Sequence, residues 1–268
     1  GCTCPQHTQM TYSFNKAAET DIRVLLAGES WVSSSTHFKG WDFFSSTVYE
    51  VGIEYLERAL AGSGIALEHL PAHLAAARFP LTLDKLAPYD VVILSDIGAN
   101  TLLLHPDTWQ RGQTVPNRLR LLQAWVEQGG GLAMAGGYMS FAGIYGAARY
   151  ARTPVEAVLP VSIHPFDDRV EAPEGALAQV IRPQHPILAG LDEAWPALLG
   201  YNELTLQPEG ELLVQVNDHP LLAVRTVGKG RTLAWASDIG PHWCPLPFLT
   251  WAGYGRMWQQ ALRWLAGK

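Results

Sequence analysis

Apolar positions along this chain follow two rhythms that take turns. Short, almost unbroken runs such as Ile22–Ala27 and Tyr89–Ser95 read as strands covered on both faces, the pattern of a parallel sheet. Between them, residues 41–62 place Val48, Val51, Tyr55, Leu56, Ala59 and Leu60 at helical spacing, which predicts a long helix ended by Gly62-Ser63-Gly64. A strand at 65–70 and one or two short, Pro-bounded helices within 71–88 complete that unit. The rhythm then repeats. Residues 116–128 open on Pro, set Leu119, Leu122, Trp125 and Val126 on one face, and close on Gly129-Gly130-Gly131 before a strand at 132–135. Helices between successive strands predict an α/β, doubly wound, mostly parallel sheet with helices on both faces, because parallel neighbours need right-handed crossovers.

The second half changes character. Residues 177–182, 203–206, 211–216, 221–226 and 231–236 read as extra short strands separated by Pro, Gly and Asn-Asp turns. Val227-Gly228-Lys229-Gly230 is a tight turn, and an amphipathic helix over about 251–266 carries Met257, Trp258, Ala261, Leu262, Trp264 and Leu265. No linker marks a boundary, so residues 21–268 are taken as one domain behind an N-terminal extension, residues 1–20. One string recurs: Ser95-Asp96-Ile97-Gly98 and Ser237-Asp238-Ile239-Gly240 each follow an apolar strand, which predicts two strand exits on one rim.

Composition narrows the class. With 48% apolar and only 16% charged residues among 268, the chain can bury a large core, which excludes disorder. A net charge of −6 with scattered basic residues argues against nucleic acid or an anionic membrane as partners. Three Cys exclude a disulfide framework, and the absence of a long apolar run or a basic-then-apolar leader predicts a cytoplasmic protein. Cys2, Cys4 and His7 have too short a spacing for the usual zinc knuckle, and no cofactor is implied.

In an open parallel sheet, ligands settle where loops leave the carboxyl ends of strands. That rule selects Glu29 and Trp31, Asp96, Gly137 with Tyr138 and Ser140, and Asp238 with His242, Trp243 and Cys244; the loop after the first strand adds His37 and Trp41. The set mixes aromatic rings with titratable groups, as a pocket for a small polar molecule requires. Plainer roles compete: Gly137 as a tight turn, Asp96 and Asp238 as caps on backbone amides, the three Trp as packing. A metal site from His37, His242 and rim carboxylates is also conceivable, although no His-x-x-x-His or Glu-x-x-His spacing supports it.

Several blocks carry a family resemblance. Gly131–Gly136 running into Gly137-Tyr138-Met139-Ser140-Phe141-Ala142-Gly143, His185–Leu191, and Gly228–Trp235 leading to Asp238 and His242 resemble class I glutamine amidotransferase-like proteins. Glu29–Val32, His37–Asp42, Tyr150–Pro154 and Pro241–Cys244 resemble a branch of that superfamily, similar also to ThuA-like proteins and to the trimerisation domain of some β-galactosidases. The resemblance spans about residues 20–268 and implies a flavodoxin-like sheet with a nucleophile elbow after Gly136. Working glutaminases of the superfamily carry Cys within Gly-x-Cys-x-Gly, whereas this chain reads Gly136-Gly137-Tyr138-Met139-Ser140. A phenol, with a reference pKa near 10, is a poor acyl acceptor at neutral pH, so glutaminase activity is not expected. His242 falls where the late catalytic His would lie, with Asp238 or Glu29 as its acid partner.

Three functional readings follow. One is a hydrolase of a small, sugar-related substrate, with His242 as general base and Ser140, Cys244 or water attacking. Another is a binding module whose elbow is filled by Tyr138. The last is a homo-oligomer built through Trp-rich surfaces.

Overall fold

The computed structural model describes residues 20–268. Cys2, Cys4, His7 and the rest of residues 1–19 lie outside the described residues. The chain runs β1 (Ile22–Gly28), β2 (Ser30–Lys39), β3 (Asp42–Val51), α1 (Glu54–Leu60), β4 (Ile65–Leu70), α2 (Ala72–Arg78), α3 (Leu83–Leu86) and β5 (Val91–Ser95). Next come α4 (Ala99–Leu103), α5 (Pro106–Arg111), α6 (Arg118–Glu127), β6 (Gly131–Ala135), α7 (Pro154–Val158), β7 (Val161–Ile163), β8 (Arg169–Ala176) and β9 (Ala178–Val180). The last part contains β10 (Leu198–Asn202), β11 (Leu204–Leu206), β12 (Glu211–Val216), β13 (His219–Val227), β14 (Gly230–Trp235), α8 (Leu246–Leu249) and α9 (Ala252–Leu265).

An eight-stranded sheet, in the order β4-β1-β5-β6-β14-β13-β12-β9, forms the centre. Its first five strands are parallel and the rest antiparallel. The mostly parallel, flavodoxin-like sheet implied by the sequence is the one observed. β5 and β6 are buried throughout, and β1 is buried except at Arg23, so the unbroken apolar runs lie where two helical layers cover them. β14 reaches its place beside β6 through the β13–β14 turn, where a side chain at Gly228 would meet the Glu127 carbonyl at 2.6 Å. Among the described residues, no helix is long and apolar enough to cross a membrane.

The long helix expected over 41–62 is not formed. Residues 42–51 are a strand paired in register with β2, Gly40 turns the ribbon with φ +69°, and the helix begins only at Glu54. The reason is local composition. Phe43, Phe44, Thr47, Val48, Tyr49 and Val51 favour extended backbone, and Ser34–Thr47 and Thr36–Ser45 hydroxyl contacts of 3.4 and 3.1 Å join the strands. Val48 and Val51 fit helical spacing only by coincidence. β7, β8 and β10 also escape sequence reading; Arg169–Ala176 contains Pro173 and Gly175, which read as a loop.

One buried cation fixes the helical layer beside β5. Arg118 is fully buried, and its guanidinium donates to the carbonyls of Leu102 (2.6 Å), Thr101 (3.3 Å), Phe79 (3.3 Å) and Ala75 (3.4 Å). The carbonyls of Phe79, Thr101 and Leu102 lie at the ends of α2 and α4, where backbone oxygens lack helical partners and the helix dipoles favour a cation, while the Ala75 carbonyl also accepts the Phe79 N–H at 2.9 Å. Burial lowers the Arg118 pKa to about 10, which leaves it charged at neutral pH. Arg118→Met should therefore orphan several carbonyls and lower unfolding free energy by about 3–5 kcal/mol. Arg118→Lys should recover only part of this, because an ammonium lacks the planar fork. Urea unfolding of the three proteins checks the order.

Candidate functional site

Neighbouring strands β1, β5, β6 and β14 deliver their carboxyl ends side by side, and their exit residues are Glu29, Asp96, Gly136-Gly137 and Asp238. Close approach sets the geometry. Glu29 and Asp96 each adopt φ +50°, and a side chain at Gly28 would sit 2.0 Å from the Ser95 carbonyl. Gly137 has φ +143°, and a Cβ there would lie 2.9 Å from Asp238 Oδ1 and 3.2 Å from Asp96 Oδ1. The missing side chain at 137 is what lets two acids converge across the elbow. The repeated Ser-Asp-Ile-Gly string serves matching ends: the carbonyls of Ile97 and Ile239 accept the buried hydroxyls of Tyr150 (2.5 Å) and Tyr254 (2.6 Å).

The acids are desolvated together. Burial raises Glu29 well above the usual carboxyl range, Asp96 and Asp238 push it further, and Ser95 Oγ donates to it at 2.5 Å. Burial likewise raises Asp96, whose Oδ1 accepts the Met139 N–H at 2.8 Å. Asp238 is pushed up to about 8 by burial, with the charges of Asp96 and Glu171 adding, although it accepts the Trp243 N–H at 3.0 Å. With its pKa near 8, Asp238 keeps its proton at pH 7 and presents an O–H donor as well as a carbonyl acceptor.

Beside them stands the half-exposed His242, with Nδ1 3.5 Å from Asp238 Oδ2 and Nε2 4.0 Å from Glu171 Oε2. The ring of Tyr138 meets it edge-on, centroids 4.8 Å apart. Tyr138 OH donates to Glu171 Oε1 at 2.6 Å, and this bond, with partial burial, raises the phenol pKa. Burial alone would push Glu171 up, but hydrogen bonds from Tyr138 and from Trp243 Nε1 (2.8 Å) hold it below the usual range. Arg169, bound to Asp167 at 2.8 Å, lies 4.9 Å over the Tyr138 ring. The elbow itself is clamped from below. Asn202 accepts the Gly137 N–H (2.9 Å) and donates to the Gly137 carbonyl (3.1 Å) and Asp168 (2.8 Å), while Asp168 accepts the N–H groups of Ala142 (3.0 Å) and Gly143 (2.9 Å).

Together these groups enclose a cavity of about 350 Å³ lined by Glu29, Trp31, Asp96, Tyr138, Asp238, Pro241 and His242. Gly137 and Trp243 stand directly behind the wall. Ser140 and Cys244 are buried off it: the Ser140 hydroxyl accepts the Asp96 N–H at 3.0 Å, and burial, then the Asp238 charge, push the Cys244 thiol well up. His37 and Trp41 are not at the rim. They sit on the exposed β2–β3 ribbon, where His37 stacks on Phe44 at 4.7 Å, because the chain leaves the rim as an extended strand. The His37–His242 metal arrangement is thereby lost, and among the described residues no group of three or more His, Cys, Asp or Glu is arranged to hold a metal ion. Glu171, Arg169, Asp168 and Asn202 were missed by sequence reading. Asp167-Asp168-Arg169 and Glu171, two charged side chains on one strand face at 169 and 171, were the only available signal.

The parallel sheet, the Gly-Gly elbow after β6 and the late His beside it define an amidotransferase-like α/β protein. The family model described as "Putative glutamine amidotransferase" matches residues 23–267, and the chain belongs to that family. No curated protein matches the chain. It is similar to the solved structures of "Cytoplasmic Protein STM3548" from Salmonella typhimurium (39% identity, TM-score 0.87, covering 90% of this chain and 98% of that one). "Cytoplasmic Protein STM1381" from Salmonella typhimurium LT2 is also similar, at 40% identity and TM-score 0.87, covering 91% of this chain and 99% of that one. A "Putative thua-like protein" from Parabacteroides merdae shares the fold at 12% identity and TM-score 0.56, covering 92% and 91%.

The acids make stability depend on pH. Below about 3.9, the ordinary Asp value, Asp238 is protonated in both states; as pH rises toward about 8 the unfolded chain loses that proton first, so stability falls. The melting temperature should drop between pH 5 and 8, and Asp238→Asn should flatten the slope and raise the melting temperature at pH 8 by roughly 3–10 °C. Asn202→Ala should lower stability by about 2–4 kcal/mol, because it strips partners from buried groups on both sides. Calorimetric melts across that range test both.

Proposed function

We propose that this protein has left thiol-based amidotransfer and uses the strand-end pocket to bind a small, neutral, hydroxyl- or amide-bearing molecule. The observation that carries the reading is the chemistry at the elbow. Tyr138 stands where working glutaminases of the superfamily carry Cys, its phenol tied to Glu171 and its pKa raised. Cys244 is buried and held protonated, so it supplies no thiolate. The cavity, about 350 Å³, is of the size that takes small molecules, and Asp238, which keeps its proton at pH 7, supplies a donor beside the acceptor oxygens of Glu29 and Asp96. The overall charge of −6 and these acids favour neither nucleic acid nor an anionic membrane. The two Salmonella relatives are described as cytoplasmic, which supports the same location for this chain.

A second reading, hydrolysis of a small sugar-related substrate, draws on the placement of His242 alone. It lines the cavity half-exposed with Asp238 behind it at 3.5 Å, the arrangement of a general base and its orienting acid. Water would be the attacking group, since Ser140 and Cys244 are off the wall.

Glutamine hydrolysis assays should give no ammonia above buffer; turnover at enzymatic rates would overturn the proposal. A thermal-shift series of monosaccharides, polyols and small amides should raise the melting temperature of the wild type, and Trp31→Ala with Glu29→Gln should abolish the shift. Release of a chromophore from model glycosides or esters, lost at least about 100-fold in His242→Ala, would select the hydrolase reading instead.

A further inference from the structure

The ribbon β2–β3 has no work in the pocket beyond its root, where Trp31 forms a wall and donates to Glu50 at 2.7 Å. Every residue from Trp31 to Val51 is exposed. Ten residues per strand at about 3.3 Å carry it roughly 33 Å from the body. Among the described residues β2 and β3 pair only with each other, so both outer edges are free.

Such an element conflicts with water. An isolated two-stranded ribbon is marginal unless a hydrophobic face is covered, and a long edge without Pro is a template for pairing. The tip is where apolar surface concentrates: Phe38 is 76% exposed, Trp41 fully, Phe43 67% and Phe44 51%. The register places Phe38 beside Phe43 on one face and His37 beside Phe44 on the other, so both faces of the tip are aromatic. Between root and tip the ribbon carries mostly Ser and Thr, with Val32, Val48 and Tyr49 exposed among them, and its charges are only Lys39, Asp42 and Glu50.

We infer that the β2–β3 ribbon is a dimerisation arm, whose aromatic tip packs against a second copy of this chain. Area supports this occupant. The four tip rings leave roughly 600 Å² of ring surface open per arm, at about 150–250 Å² for a whole aromatic side chain. Two arms exchanged across a two-fold axis, each covering a similar area of the other copy, remove about 2,400 Å², above the roughly 1,200–2,000 Å² of a stable interface. Charge supports it too. The near-neutral arm lacks the Lys and Arg cluster that a polyanion or anionic membrane demands, and meets an identical neutral surface without repulsion. Edge pairing of two ribbons would also yield four strands, enough for a self-supporting sheet.

Sedimentation velocity at about 30 µM should show the wild type at twice its 29.4 kDa chain mass. Phe38→Ser with Trp41→Ser and Phe43→Ser should give a monomer with unchanged far-UV circular dichroism. Hydrogen exchange on the wild type supplies a check that needs no variant: amides within 31–51 should be protected at high concentration and lose protection on dilution. A wild-type monomer, an assembly that survives the triple substitution, or exchange independent of concentration would overturn the inference. A monomer whose Trp fluorescence shifts to the blue only with phosphatidylcholine vesicles would overturn it in favour of a lipid surface.

Discussion

Two carboxyl groups approach one another across a residue that has no side chain. A Cβ at Gly137 would lie within 3.2 Å of oxygens from both Asp96 and Asp238, so the elbow after β6 is the floor on which the acids converge. Glu29 joins them from β1, and mutual desolvation raises all three above the ordinary carboxyl range. Removing the freedom of that glycine would force apart the groups that give the pocket its chemistry.

This constraint is a consequence of strand order. β5 and β14 flank β6, so identical Ser-Asp-Ile-Gly exits on the outer two place one Asp on each side of the Gly-Gly turn. Buried tyrosines hold both exits by the Ile carbonyl, while Asn202 and Asp168 hold the loop between them. The scaffold of an amidotransferase-like protein is thereby kept, with a phenol bound to Glu171 at the elbow. The cavity wall thus sets buried carboxyl groups with raised pKa values beside the imidazole of His242.

The core strands were legible because burial on two faces demands uninterrupted apolar residues, as in Val91–Leu94. Strand exits then led to Glu29, Asp96, Tyr138, Asp238 and His242, which the fold brings to one cavity. The ribbon was not legible. From Trp31 to Val51 every residue is exposed, so the spacing of Val48, Val51 and Tyr55 could mimic a helix with no buried ribbon position to contradict it. Glu171 and Asn202 stayed hidden for another reason: they reach the elbow from strands with no apolar alternation, and only tertiary packing brings them there.

The pocket's chemistry depends on Asp238 holding its proton at neutral pH because burial desolvates it. Carbon-13 NMR titration of its carboxyl carbon, assigned by comparison with Asp238→Asn, reads this directly. A midpoint near 8 is expected, as burial dictates. A midpoint near 4, the value of an exposed aspartate, would contradict it.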